Sequence, residues 1–178
     1  MLKQDYDIPE IDIHLLKHIP AGAGLGGGSS DAAFTLIMLN ELFKLGISSA
    51  EMESRAATLG SDCAFFIRNK PLLAGGRGEV FEEIKLDLSG YRVEVIKPDI
   101  HMSTAEAYGM IAPIADRPSL REIIQKPIHE WKDHLVNDFE KPIFEKYPEI
   151  RELKESYYDQ GAIYSSMSGS GSAVYGIF

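Results

Sequence analysis

The chain is 178 residues long and carries 18 Lys and Arg against 27 Asp and Glu, a formal net charge of −9. That balance argues against a broad nucleic-acid footprint or an anionic membrane surface as partner, so a phosphate ligand has to be held locally by oriented N–H groups. No apolar run approaches the roughly eighteen residues that cross a bilayer, and the first residues form no signal-peptide hydrophobic region, which predicts a cytoplasmic protein.

From residue 11 to 17, Ile11, Ile13 and Leu15 alternate with Asp12, His14 and Leu16, the period of a strand. Pro20-Ala21-Gly22-Ala23-Gly24-Leu25-Gly26-Gly27-Gly28-Ser29-Ser30 follows, with five glycines inside seven residues. Such glycines let the backbone take positive φ and approach a ligand closely, so that successive N–H groups converge on one anion. Ser29 and Ser30 add hydroxyl donors where the next helix begins and its dipole is positive. Ala32, Leu36, Leu39 and Phe43 recur at helical spacing and predict a helix over residues 30–44, stopped by Gly46.

Ser48-Ser49-Ala50-Glu51 reads as a capping box opening a second helix, which Gly60 closes. Asp62 then stands between a helix stop and the apolar residues 63–66, where burial is expected. The single cysteine, Cys63, excludes an internal disulfide and a cysteine-held zinc, and its neighbours Ala64, Phe65 and Phe66 make it a buried thiol. Residues 71–74 and 79–84 read as a hairpin around Gly75-Gly76-Arg77-Gly78. Residues 91–96 alternate as a strand, and a domain boundary near residues 88–90 divides the chain into 1–88 and 89–178.

Helices dominate the second part. Ser103 with Glu106 and Ser119 with Glu122 form further capping boxes, and Pro148 suits the first turn of a helix running through Leu153. Residues 162–167 and 173–178 are short strands flanking Ser168-Gly169-Ser170-Gly171-Ser172. Strands and helices without regular βαβ alternation give an α+β class. A strand at residues 11–17 needs neighbours, since a small sheet requires three or more strands, so the N-terminal domain reads as unusually short or incomplete.

Gly22 to Gly27 satisfies G-x-G-x-x-G, but the acid at the right distance, Glu41, falls inside the predicted helix rather than after the next strand, which argues against a dinucleotide site. No G-K-[ST] follows the glycines, so a Walker A loop fails as well. Histidines 14, 18, 101, 129 and 134 have no metal-ligand spacing. Trp131 reads as a packing anchor. Asp62 either caps backbone donors, which its position favours, or serves as a charged catalytic group.

Residues 20–33, Leu59-Gly60-Ser61-Asp62 and residues 168–172 together resemble the three-part signature of the GHMP kinases, the superfamily of galactokinase, homoserine kinase, mevalonate kinase and phosphomevalonate kinase. Residues 19–33, 97–108 and 137–150 narrow the resemblance to a branch in non-mevalonate isoprenoid synthesis. The resemblance implies a two-domain fold and ATP-dependent phosphorylation of a small-molecule alcohol. It places the ATP phosphates on residues 20–30, makes Asp62 the catalytic aspartate that orients the hydroxyl and takes its proton, and has Ser168 to Ser172 close the site. Magnesium is implied with ATP, without identified protein ligands. The family also carries a Pro-Ala-Lys-Ile-Asn-Leu-like motif, which these 178 residues lack and to which Lys3, Lys17 and Lys44 do not correspond. The expectation is a weak or inactive kinase in this polypeptide alone, with a sheet edge prone to association. Alternatives are another GHMP kinase, such as a homoserine kinase, or a noncatalytic nucleotide-binding module; the oligomeric state is open.

Overall fold

One turn of helix, α1 (Leu2–Asp5), brings Leu2 into an apolar cluster with Ile8, Leu36, Ile47, Ala56, Cys63 and Ala64. The computed structural model describes every residue except 77, 79 and 113–117, so Arg77 of the predicted turn and Glu79 of the predicted hairpin lie outside the described residues. Two compact units divide the chain. Residues Met1–Pro20 and Gly26–Ile84 form one, and Ala21–Leu25 and Lys85–Phe178 the other.

In the first unit, residues 11–17 form no strand. Among the described residues nothing pairs with them, and alternation without a hydrogen-bonded ladder does not make a strand. Leu15 and Leu16 consequently stay exposed, Leu16 to 81%. Helix α2 (Gly27–Leu42) begins three residues earlier than its apolar periodicity indicates, taking Gly27, Gly28 and Ser29 into its first turn. Its inner face buries Ala33 and Leu36, with Ala32, Leu39 and Phe43 packed alongside.

Helix α3 (Ser49–Ala57) starts as expected, Ser48 Oγ accepting from the Glu51 N–H at 3.3 Å. The reciprocal half of the box is absent because Glu51 turns to Arg55, whose Nη2 lies 2.8 Å away. Gly60 follows, its N–H donating to the Ala56 carbonyl. Helix α4 (Cys63–Arg68) buries Cys63 and packs against both α2 and α3. The hairpin forms where expected, β1 (Leu72–Gly75) antiparallel to β2 (Val80–Glu83) with Leu72 opposite Glu83.

The second unit contains β3 (Val93–Ile96), α5 (Thr104–Met110), α6 (Leu120–Ile124), α7 (Ile128–His134), α8 (Glu140–Lys146), α9 (Pro148–Asp159), β4 (Tyr164–Met167) and β5 (Val174–Ile177). Its sheet has the order β3-β5-β4, all antiparallel. Register explains how the core is divided. Tyr164 opposes Ile177, and both join Ile123 and Trp131; Met167 opposes Val174, and both join Ile143, Ile150 and Tyr157. Residues three apart on a strand point to opposite faces, so β4 and β5 carry a core on each side. Trp131 is the anchor its sequence position suggests, its ring 5.7 Å from that of Tyr164 in an edge-on pair and its Nε1 donating to the Lys126 carbonyl.

Ser103 caps α5 by accepting from the Glu106 N–H at 3.1 Å. Ser119 makes no such side-chain bond; the Glu122 N–H goes instead to its backbone carbonyl at 2.9 Å, a tighter turn in a helix of five residues. Pro148 occupies the first position of α9. Among the described residues no helix is long and apolar enough to cross a membrane.

Candidate functional site

The two glycine-serine motifs meet within the second unit. Gly24 has φ of +73°, and a Cβ there would lie 2.2 Å from the Ser168 carbonyl oxygen and 2.8 Å from that of Gly171. Only glycine allows this approach of two backbones. The Ser168 hydroxyl donates to the Gly24 carbonyl at 2.8 Å, and the Ala173 N–H donates to the Ala23 carbonyl at 3.0 Å. Ala23 is buried beneath the contact. Ser172 is also buried and donates its hydroxyl to the Ile100 carbonyl at 2.7 Å, tying the second loop to the segment before α5. The imidazole of exposed His101 stands beside Gly22.

The first unit holds the rest of the motif. The earliest backbone bond of α2 runs from the Ser30 N–H to the Gly26 carbonyl at 2.9 Å, so the N–H groups of Gly27, Gly28 and Ser29 have no acceptor within the helix. Gly26 is the N-cap and provides no side chain, and the first turn of α2 has no acidic residue. The positive end of the dipole is therefore open to an anion. Just beyond it, Asp31 is paired with the ammonium of Lys17. Lys17 Nζ also lies 3.5 Å from where a Gly27 Cβ would be, which puts a cation beside the helix start. Sequence reasoning missed this residue; its signal was a lysine three positions before Pro20, inside a stretch that read as a strand.

Asp62 heads α4, in the same unit as the start of α2. The structure overturns its expected burial: the residue is exposed. It also does not cap, since no side-chain bond reaches the backbone donors of α4; Oδ1 accepts the Ser61 hydroxyl at 3.3 Å. One turn further along α4, Phe66 presses on Gly26, where a Cβ would lie 2.8 Å from the ring. Among the described residues no group of three or more His, Cys, Asp or Glu is placed to hold a metal ion. Taken unit by unit, the structure joins Gly24 to Ser168, Gly169 and Gly171, and sets Lys17 beside Gly27 in the other unit, which also holds Ser30 and Asp62.

Residues 1–70 match the family described as GHMP kinases N terminal domain, and residues 119–178 match the GHMP kinases C terminal family. The chain is 52% identical over 178 residues to the 4-diphosphocytidyl-2-C-methyl-D-erythritol kinase of Bacteroides fragilis, a match that takes in 100% of this chain and 65% of that protein. A protein of the same name from Azobacteroides pseudotrichonymphae is 56% identical over 179 residues, with 100% of this chain and 67% of that protein covered. The crystal structure of a 4-(cytidine 5'-diphospho)-2C-methyl-D-erythritol kinase superposes with a TM-score of 0.73 at 32% identity, over 90% of this chain and 59% of the other. The chain therefore spans 65% of the length of the Bacteroides relative.

Proposed function

This chain belongs to the GHMP kinase family, and we propose that it transfers a phosphoryl group from ATP to the 2-hydroxyl of 4-diphosphocytidyl-2-C-methyl-D-erythritol, releasing ADP, in non-mevalonate isoprenoid precursor synthesis. One observation carries the reading: α2 starts with three N–H groups that have no helical acceptor, on a glycine-rich turn, with a cation alongside. A Cβ at Gly28 would have open space around it, which suits close approach by a polyphosphate. On this reading residues 1–88 form the nucleotide-binding domain and 89–178 the C-terminal domain.

Phosphoryl transfer depends mostly on positioning and on stabilising charge spread over the phosphoryl oxygens. Backbone amides from Pro20 to Ser30, with the hydroxyls of Ser29 and Ser30, hold the ATP phosphates. Asp62 Oδ orients the substrate hydroxyl and accepts its proton as the oxygen bonds to the γ-phosphorus and the β–γ bridging bond breaks. Ser168 to Ser172 sustain the shape of the turn at Gly24. Magnesium, expected with ATP, would supply charge neutralisation at the phosphate oxygens when bound.

The test is ADP release by the gene's full product with 4-diphosphocytidyl-2-C-methyl-D-erythritol and, separately, with homoserine. Release is expected with the first alone. Asp62→Asn should reduce turnover at least about 100-fold and change ATP affinity less than about twofold. An Asp62→Asn protein as fast as the parent would overturn the assignment of the base, and ATP binding without turnover on either alcohol would favour a binding module.

A further inference from the structure

Two side chains just before and at the start of α8 grip the strand that leads into the second glycine-serine loop. Glu140 is exposed to only 5%, an unusual place for a carboxylate, and a buried charge persists only when its oxygens are satisfied. Three donors meet it: Lys154 Nζ at 2.7 Å, the Ser166 hydroxyl at 3.0 Å and the Met167 N–H at 2.9 Å. Asn137 takes the other backbone group of the same residue. Its Nδ2 donates to the Met167 carbonyl and to the Gly169 carbonyl, each at 2.8 Å. The orientation of the amide is fixed, because Oδ1 accepts the Phe139 N–H at 3.0 Å and only the nitrogen is left to face the loop.

The N–H of Met167 is thus held by Glu140 and its carbonyl by Asn137, and the next residue is Ser168, which clasps Gly24. Gly169 and Gly171 both lie at positive φ, +52° and +85°, so the loop has little stiffness of its own. Its shape has to be imposed from outside, and these two side chains do so.

We propose that Asn137 and Glu140 are positioning residues for the phosphate site: by fixing residues 167–169 they set the Ser168 hydroxyl against the Gly24 carbonyl and hold the turn at residues 21–25 in its binding shape. The proposal rests on the reading of residues 20–30 as the ATP-phosphate cradle. Lys154 neutralises the buried carboxylate and stands one step further from the loop.

Calorimetric titration of the full product with MgATP, and separately with the alcohol substrate, tests it alongside thermal melts. The parent is measured first. If it binds no MgATP, the kinase reading and this proposal both fall. Given binding, Asn137→Ala is expected to weaken MgATP about tenfold while changing affinity for the alcohol less than about twofold. Ser168→Ala should weaken MgATP to a similar extent, and the double variant should be little worse than either single, because both act through one contact. Glu140→Gln keeps an acceptor for Ser166 and Met167, so it should melt lower than the parent yet retain MgATP affinity within about threefold, whereas Glu140→Ala should behave as Asn137→Ala. MgATP affinity unmoved in folded Asn137→Ala, or additive losses in the double variant, would sink this proposal and leave the kinase reading standing. Should Asn137→Ala fail to fold, the contrast between the two Glu140 variants decides: equal MgATP affinities in both would refute it.

Discussion

Ser168 Oγ lies 2.8 Å from the Gly24 carbonyl, a contact between residues 144 apart in sequence. It pins two loops that are individually rich in glycine, and neither loop has a regular hydrogen-bonded ladder to hold it. Gly24→Ala should break this arrangement. The positive φ alone costs about 1–2 kcal/mol for an L side chain, and the 2.2 Å approach to the Ser168 carbonyl cannot be relieved by a rotamer. A total loss of about 3 kcal/mol is expected in urea denaturation.

Gly28 gives the opposite sign. A Cβ there meets nothing within 4 Å and the residue lies inside α2, so Gly28→Ala should stabilise the protein by about 0.5–1 kcal/mol. If polyphosphate approaches this backbone, the same methyl group should weaken MgATP. Stability rising as affinity falls is the expected pair of results, read by denaturation and calorimetry on one sample.

Glu106 carries a pH signature. A hydrogen bond from Lys146 Nζ at 2.6 Å, and a second from the Tyr147 hydroxyl at 3.0 Å, hold its carboxyl below the usual glutamate range. A depressed folded-state value means that the unfolded chain takes up protons first as pH falls. The contribution is fully present above the ordinary glutamate range and is lost progressively as pH falls through the lowered folded-state value. The stability difference between parent and Glu106→Gln should accordingly be flat from neutral pH down to about 5 and shrink on further acidification. A difference that grows with acid would contradict the sign.

Trp131 joins Tyr164 and Ile177 on one face of the β4–β5 pair and is almost wholly buried. Trp131→Ala should cost about 3–5 kcal/mol and lower the melting temperature markedly. Ile143 lies in the separate cluster on the other face of the pair, so Ile143→Ala should add to it without coupling, within about 0.5 kcal/mol.

Legibility in the sequence followed how local each feature was. Ser48 and Ser103 cap helices because the donors they satisfy lie three residues away, and Pro148 opens α9 for an equally local reason. The β4 and β5 strands were readable from their apolar runs, and the short hairpin from its glycines. Residues 11–17 misled because alternation reports a compatible pattern, while a strand also needs a partner across the ladder. Asp62 misled because its neighbours Cys63 and Ala64 are buried while it stays exposed at the head of α4. The burial of Glu140 left no local sign, since it depends on Lys154 fourteen residues on and Ser166 twenty-six residues on.

Residues 21–25 belong to the unit otherwise built from residues 85–178. On the ribosome this pentapeptide emerges and then waits, because the hydroxyl that fastens it comes from Ser168, 144 residues after Gly24, and the amide from Ala173, later still. A nascent chain stalled short of residue 168 would expose the Ala23 and Gly24 carbonyls to water, so that the turn is fastened only once the second glycine-serine loop has emerged.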